Sequence, residues 1–84
     1  MKWYVYILRS LRDGKYYIGY TSNLERRLKE HNSGRQRSTR HRVPFELVYY
    51  EEYESKSEAI KRERQLKSYK GGEAFRRLIE GRGA

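Results

Sequence analysis

The chain has no cysteine, one proline, one methionine, one tryptophan and a single aspartate, Asp13, among its 84 residues. Each shortage excludes something. Without cysteine there is no disulfide staple, no zinc ribbon and no thiol nucleophile, and the composition fits a reducing compartment. The lone aspartate stands in a turn, so there is no Asp-x-Asp pair and no obvious carboxylate cluster of the kind that holds two catalytic metals. The glycines do not spell a nucleotide-binding loop. The apolar run at residues 3–8 is too short for a signal-peptide core or a membrane span. These absences lead us to expect a cytoplasmic protein with no membrane partner. They also suit one domain over residues 1–84, with a small core.

What is there is positive charge. Lysine and arginine number 20 against 11 acids, a net charge of +9. On so small a domain that excess points to a polyanion, most simply nucleic acid. A basic surface that only keeps the protein soluble is the plain alternative. No stretch sets a long apolar face against a basic one, so a membrane surface is not expected. Nine tyrosines supply most of the aromatic content. Core filling accounts for most of them, although a tyrosine also stacks on bases or handles protons.

Residues 2–9 read as a strand that is apolar or aromatic on both faces, with Trp3, Val5 and Ile7 on one side and Tyr4, Tyr6 and Leu8 on the other. Asp13-Gly14 is a hairpin signal, and residues 15–20 form the second strand. With Asp13 and Gly14 as a two-residue turn, Arg12 faces Lys15 and Ser10 faces Tyr17. Tyr6 and Tyr17 then share a face about 13 Å apart along the strands; a longer loop of the same parity brings them opposite. Ser22-x-x-Glu25 is a capping box opening a first helix near Ser22, with Leu24 and Leu28 inward, Arg27 and His31 flanking them, and an end at Asn32-Ser33-Gly34. Residues 35–42 carry Arg35, Arg37, Arg40 and Arg42 with no apolar residue, the pattern of a mobile basic loop. Residues 45–50 alternate as a third strand begun by Val43-Pro44, Phe45, Leu47 and Tyr49 on one side.

A second capping box, Ser55-x-x-Glu58, opens a helix to about Tyr69 that stops at Gly71-Gly72. Its inward stripe is Ala59, Ile60, Leu66 and Tyr69 or Lys70. Glu63 lies inside that stripe, an anomaly for an unpaired charge. Residues 73–80 form a last helix with Ala74, Phe75, Leu78 and Ile79 inward, and residues 81–84 fray. The order ββαβαα predicts an α/β (α+β) fold, a three-stranded antiparallel sheet with helices packed on it. To bring Glu63 to the tyrosines, the second helix is expected to cover the Tyr6 face. Tyr6, Tyr17, Arg27 and Glu63 are then expected to line one concave patch, and Glu63 on the opposite side of the sheet from Tyr17 would sink the catalytic reading.

Four groups are then candidates to converge: Tyr6, Tyr17, Arg27 and Glu63. Phosphodiester hydrolysis needs a proton acceptor, a cation on the phosphate and usually a metal on an oxygen ligand. Each residue alone also has an ordinary reading: tyrosine as core, Arg27 as a surface ion pair, Glu63 as a bridge to Lys67 or Arg27, His31 as a cap or edge residue.

Tyr4-Val5-Tyr6, then Tyr17-Ile18-Gly19, Arg27, and Glu63 within A-I-K-R-E resemble the GIY-YIG nuclease superfamily, with Tyr4 where the motif has glycine. The resemblance runs from Trp3 to about Tyr69. It is similar to the N-terminal catalytic module of the bacterial excinuclease and to that of intron-encoded homing endonucleases. It most resembles small stand-alone bacterial members, in H-N-S-G after the first helix and K-S-E-A-I-K-R-E-R-Q-L-K in the second. It implies a metal-dependent DNA endonuclease acting in repair or processing, using one weakly held Mg²⁺ or Mn²⁺. Tyr6 is the implied proton acceptor, Tyr17 orients the water or shares that role, Arg27 binds the scissile phosphate, Glu63 holds the metal and His31 supports the site. Arg35, Arg37, Arg40, Arg42 and Lys67 are the candidate nucleic-acid contacts. The partner is DNA, with RNA left open. The alternatives are a catalytically weak or inactive nucleic-acid-binding module of the same fold, and a protein-interaction subunit that uses the tyrosine-rich sheet.

Overall fold

In the computed structural model, which describes residues 1–69 and 72–82, the expected ββαβαα order is present. The strands are β1 (Trp3–Ser10), β2 (Tyr16–Thr21) and β3 (Phe45–Tyr53); the helices are α1 (Leu24–Asn32), α2 (Lys56–Ser68) and α3 (Glu73–Arg82), with a 3₁₀ turn at Arg40–Arg42. The sheet is antiparallel, in the order β2-β1-β3. Central β1 is buried on both faces, with Val5, Tyr6, Ile7 and Leu8 all at most 2% exposed.

The two faces are covered by different helices. Val5 and Ile7 pack with Ala59 and Leu66 of α2 and Phe75 of α3, joined by Ile18 and Tyr20. Tyr6 and Leu8 pack with Phe45, Tyr17, and Leu24 and Leu28 of α1. This corrects the expectation that the second helix covers the Tyr6 face. A sheet that is apolar on both sides needs a cover on each. The first helix already occupies the tyrosine side, so the stripe of α2 closes the other. An ion-pair knot holds it there: Glu51 of β3 accepts from Arg62 Nε at 2.8 Å and Nη2 at 3.0 Å, from the Tyr53 hydroxyl at 2.6 Å and from the Tyr49 hydroxyl.

The hairpin turn is longer than expected. Ser10 N donates to Lys15 O at 2.9 Å, and Gly14 N donates to Ser10 O at 2.9 Å, leaving residues 11–14 as a four-residue loop. Local side chains explain it. Buried Ser10 accepts through Oγ from the amides of Arg12 and Asp13, Asp13 Oδ1 accepts from Lys15 N, and Gly14 takes φ +73. The register moves by two residues, so Tyr17 pairs with Leu8 and Gly19 with Tyr6. Parity survives, and the Tyr6 and Tyr17 rings stack diagonally with centroids 6.4 Å apart.

Other boundaries shift for identifiable reasons. Asn23, not Ser22, caps α1: its side chain accepts from Arg26 N at 3.0 Å, while Thr21 Oγ1 accepts from Asn23 N. The cap of α2 is Ser55, as expected, accepting from Glu58 N. Strand β3 continues to Tyr53, and a bulge at Val48 sets Leu8 opposite Leu47 but Ile7 opposite Tyr49. The expected alternation therefore breaks: Phe45 joins the tyrosine face and Tyr49 the other. Ala74 is exposed, and α3 continues through Gly81 and Arg82. Lys70, Gly71, Gly83 and Ala84, part of the expected stripe, stop and frayed end, lie outside the described residues.

Gly19 is required by space rather than by backbone angle. A Cβ there would stand 2.5 Å from Tyr6 Oη and 2.7 Å from Cζ, because the buried Tyr6 ring lies across the β2 backbone at that point. Gly19→Ala is expected to destabilise by about 1–3 kcal/mol through overpacking. Denaturant unfolding of Gly19→Ala, Tyr6→Leu and the double variant should show the double loss smaller than the sum by about 1 kcal/mol. Strict additivity would remove the contact as the cause.

Candidate active site

Three elements bring four of the sequence-predicted residues together. β1 and β2 deliver Tyr6 and Tyr17 on one face. α1 delivers Arg27 and His31, four residues and hence one turn apart. Arg27 Nε donates to Tyr6 Oη at 3.3 Å, and Tyr6 Oη lies 3.2 Å from His31 Nε2. The His31 ring is 4.7 Å from that of Tyr17, 6.1 Å from Tyr6 and 5.8 Å from Phe45, and it is fully buried. Its other nitrogen, Nδ1, lies 3.3 Å from Thr39 Oγ1.

The electrostatics follow from burial. Burial, and then the nearby Arg27 cation, push the His31 pKa down to about 4, so the imidazole is neutral at pH 7. Burial likewise raises the Tyr6 phenol to about 12, against the opposing pull of Arg27. Burial works against the Arg27 charge too, but its hydrogen bonds to Tyr6 and Glu30 outweigh that and hold it a cation. With Nε on Tyr6 and Nη1 on Glu30 at 3.4 Å, Arg27 keeps Nη2 for an anion.

Glu63 is placed differently. It lies inward on α2 with a side chain 13% exposed, as the stripe implied, and pairs with Lys67 at 3.5 Å. Its helix packs on the opposite face from Tyr17, against the expectation of one shared concave patch, and among the described residues Glu63 makes no hydrogen bond or ion pair with the four clustered ones. The sheet does not insulate it. β2 is an edge strand and Gly19 carries no side chain, so the Tyr6 hydroxyl comes to the margin of the sheet. There the Glu63 charge adds to what raises the phenol.

The basic loop is tied rather than loose. Thr39 is buried against His31, with Thr39 N and Arg40 N both donating to Gln36 O. Arg42 pairs with Asp13 at 3.2 Å, donates to Tyr16 O at 3.3 Å and lies over the Phe45 ring at 5.5 Å. Arg35, Arg37 and Arg40 line the outer side of this loop, and Lys67 is exposed on α2. Sequence reasoning missed Thr39, hidden in a polar run that carries no pattern. It read Asn32 only as a helix end, whereas that side chain accepts from Phe45 N and donates to Phe45 O, fixing α1 to β3.

A family model described as the GIY-YIG catalytic domain matches residues 2–73. A UPF0213 protein of Staphylococcus saprophyticus is 38% identical over 81 residues, 95% of this chain and 98% of the relative. One of Natronomonas pharaonis is 50% identical over 66 residues, 77% of this chain and 76% of the relative. A solution NMR structure of a UPF0213 protein from Bacillus halodurans is 41% identical, covering 89% of this chain and 92% of that one, with a TM-score of 0.45.

Neutral His31 makes folding sensitive to acid. Its folded pKa of about 4 lies below the ordinary 6.5, so between those values the unfolded chain binds a proton that the fold refuses. Stability is therefore complete above pH 6.5 and falls toward pH 4, by ~3 kcal/mol from this group. Denaturant unfolding across that window checks it. His31→Gln should flatten the loss above the carboxylate range; an unchanged slope would assign the acid sensitivity to another group.

Proposed function

Because the chain belongs to the GIY-YIG catalytic-domain family, we propose that it is a metal-dependent endonuclease that hydrolyses phosphodiester bonds of DNA, in repair or processing. One observation carries this reading: the buried Tyr6 phenol is held between the Arg27 cation and the neutral His31, over Gly19 of the edge strand. Arg27 Nη2 binds the scissile phosphate and takes up the charge that builds as water attacks phosphorus. With its own proton released to solvent when substrate binds, Tyr6 accepts the water proton as phenolate, Tyr17 orients the water, and the P–O bond breaks as the leaving oxygen takes a proton from solvent. Exposed Lys67 stands beside Glu63 and serves the phosphate or the leaving oxygen.

Magnitudes limit how Tyr6 acts. With burial raising the phenol to about 12 and lowering the imidazole to about 4, the proton stays on Tyr6 and not on His31 in the free protein. Tyr6 is therefore a neutral phenol until the substrate is bound. Glu63 is a single hard-oxygen donor, and no group of three or more His, Cys, Asp or Glu suited to a metal occurs among the described residues. That set fits Mg²⁺ or Mn²⁺ held weakly, with waters and substrate phosphate oxygens completing the shell. When bound, the ion supplies positive charge that favours phenolate and hydroxide and offsets the phosphate charge. The high phenol pKa equally favours the second reading, a module that binds nucleic acid without cutting it.

Incubation with plasmid and branched DNA, with and without Mg²⁺ or Mn²⁺, separates the two. Wild type should cut only with metal. Glu63→Gln should abolish cutting while leaving folding and DNA affinity nearly intact. Tyr6→Phe should cut at least ~100-fold more slowly and lose about 1 kcal/mol of stability with its hydroxyl. Full cutting by Tyr6→Phe would move the base role to Tyr17 or His31, and no cutting by wild type with either ion leaves the binding module.

The outward arginines of the loop are the proposed phosphate contacts, with Arg42 already engaged at the hairpin. Arg35→Gln, Arg37→Gln and Arg40→Gln together should weaken binding alike across sequences. The slope of log K against log salt should become shallower by up to about 0.9 per lost duplex contact. An unchanged slope would turn this loop away from the nucleic acid.

A further inference from the structure

A cleft opens beside the tyrosine cluster, between β2 and the helices α2 and α3. Its volume is about 550 Å³, within the range of about 300–1,000 Å³ typical of small-molecule sites. The floor is apolar: Leu66 is fully buried, Phe75 is 3% exposed, and Ile18 completes it. One wall is Tyr16, 41% exposed and edge-on to Phe75 with ring centroids 5.1 Å apart. Lys15 and Lys67 also line the cleft and are exposed. Tyr17 lines it too, and Tyr17 is the ring stacked on Tyr6.

We propose that this cleft receives one unstacked nucleobase of single-stranded DNA, next to the phosphate held by Arg27. The proposal rests on the endonuclease reading and names its substrate class. A planar aromatic ligand suits an apolar floor with an exposed tyrosine wall, since every base offers a π-face for stacking. Two ammonium groups on the same cleft suit the phosphates that flank the base. A free apolar ligand has no use for them. The position of Tyr17 in both the cleft and the tyrosine cluster puts the base and the scissile phosphate within neighbouring nucleotides. A base in the cleft is neither paired nor stacked on its neighbours. A duplex must surrender both interactions to supply one, and a single strand has little to lose. The substrate favoured by this surface therefore has an unpaired nucleotide beside the bond to be cut.

The test uses the full chain without divalent ions, so that binding is read apart from cutting. Short oligodeoxynucleotides carrying a fluorescent adenine analogue at successive positions are titrated as single strands and as perfect duplexes. The expected result is single-strand binding at least about ten-fold tighter than duplex binding, with the analogue's emission quenched. Tyr16→Leu, which keeps an apolar contact with Phe75, should lose about ten-fold in single-strand affinity together with the quenching. Tyr16→Phe should retain both, and thermal melting confirms that each variant folds. Duplex binding as tight as single-strand binding, or a Tyr16→Leu protein that binds and quenches like wild type, overturns the proposal. Metal-dependent cutting is scored separately. Cutting of perfect duplex without base docking overturns this inference and leaves the endonuclease reading. Docking without cutting under any ion upholds the cleft and overturns that reading.

Discussion

The central strand is buried on both faces, and the rest of the structure depends on that. Val5 and Ile7 demand one cover and Tyr6 and Leu8 another. An 84-residue chain has little apolar surface to spare. It meets the demand by placing α1 on one side and α2 with α3 on the other. The arrangement divides the chemistry as it divides the core. The phenols, the imidazole and the guanidinium fall on the α1 side, and the inward carboxylate falls on the α2 side. Edge strand β2 is where the two sides come nearest, and Gly19 keeps that edge thin enough for Tyr6 to reach it.

Burial also sets the charge state of the site. The chain carries a net +9, yet its buried histidine is neutral and its buried phenol keeps its proton. The one cation of the cluster, Arg27, is secured by two hydrogen bonds. An anion arriving at the margin meets a fixed positive group that still has a donor to offer, with neutral partners behind it. Preorganisation of that kind favours charge that develops in a transition state over charge already present in the ground state. The two ties of the basic loop serve the same end. Thr39 reaches His31 and Arg42 reaches the hairpin, so the loop is tied at two points.

Legibility differed from element to element for physical reasons. The central strand announced itself because six consecutive apolar or aromatic residues allow no solvent face. The cap of α2 was readable because Ser55 stands three residues before Glu58 and has no cap-forming residue adjacent to it. The cap of α1 was not, because Ser22 and Asn23 are adjacent and equally able to cap. The loop expected to be loose is held by Thr39 and Arg42, whose partners are eight or more residues away and leave no local pattern. The bulge at Val48 likewise has no signature in a run that alternates well by itself. Of the candidate site, the four residues that converge were identified from residue type and motif order. Glu63 was identified too, but its side of the sheet was not.

By itself, the sequence determined the element order, the antiparallel sheet, the shared face of Tyr6 and Tyr17 and the inward position of Glu63. All of these follow from periodicity and parity, which are local properties of a chain with fixed backbone geometry. Only the tertiary structure decided the hairpin register, the side covered by each helix, the neutrality of His31, the raised phenol of Tyr6 and the cleft beside Tyr16. Those depend on which surfaces compete for cover and how deeply a group is withdrawn from water, quantities that exist only once distant segments have packed.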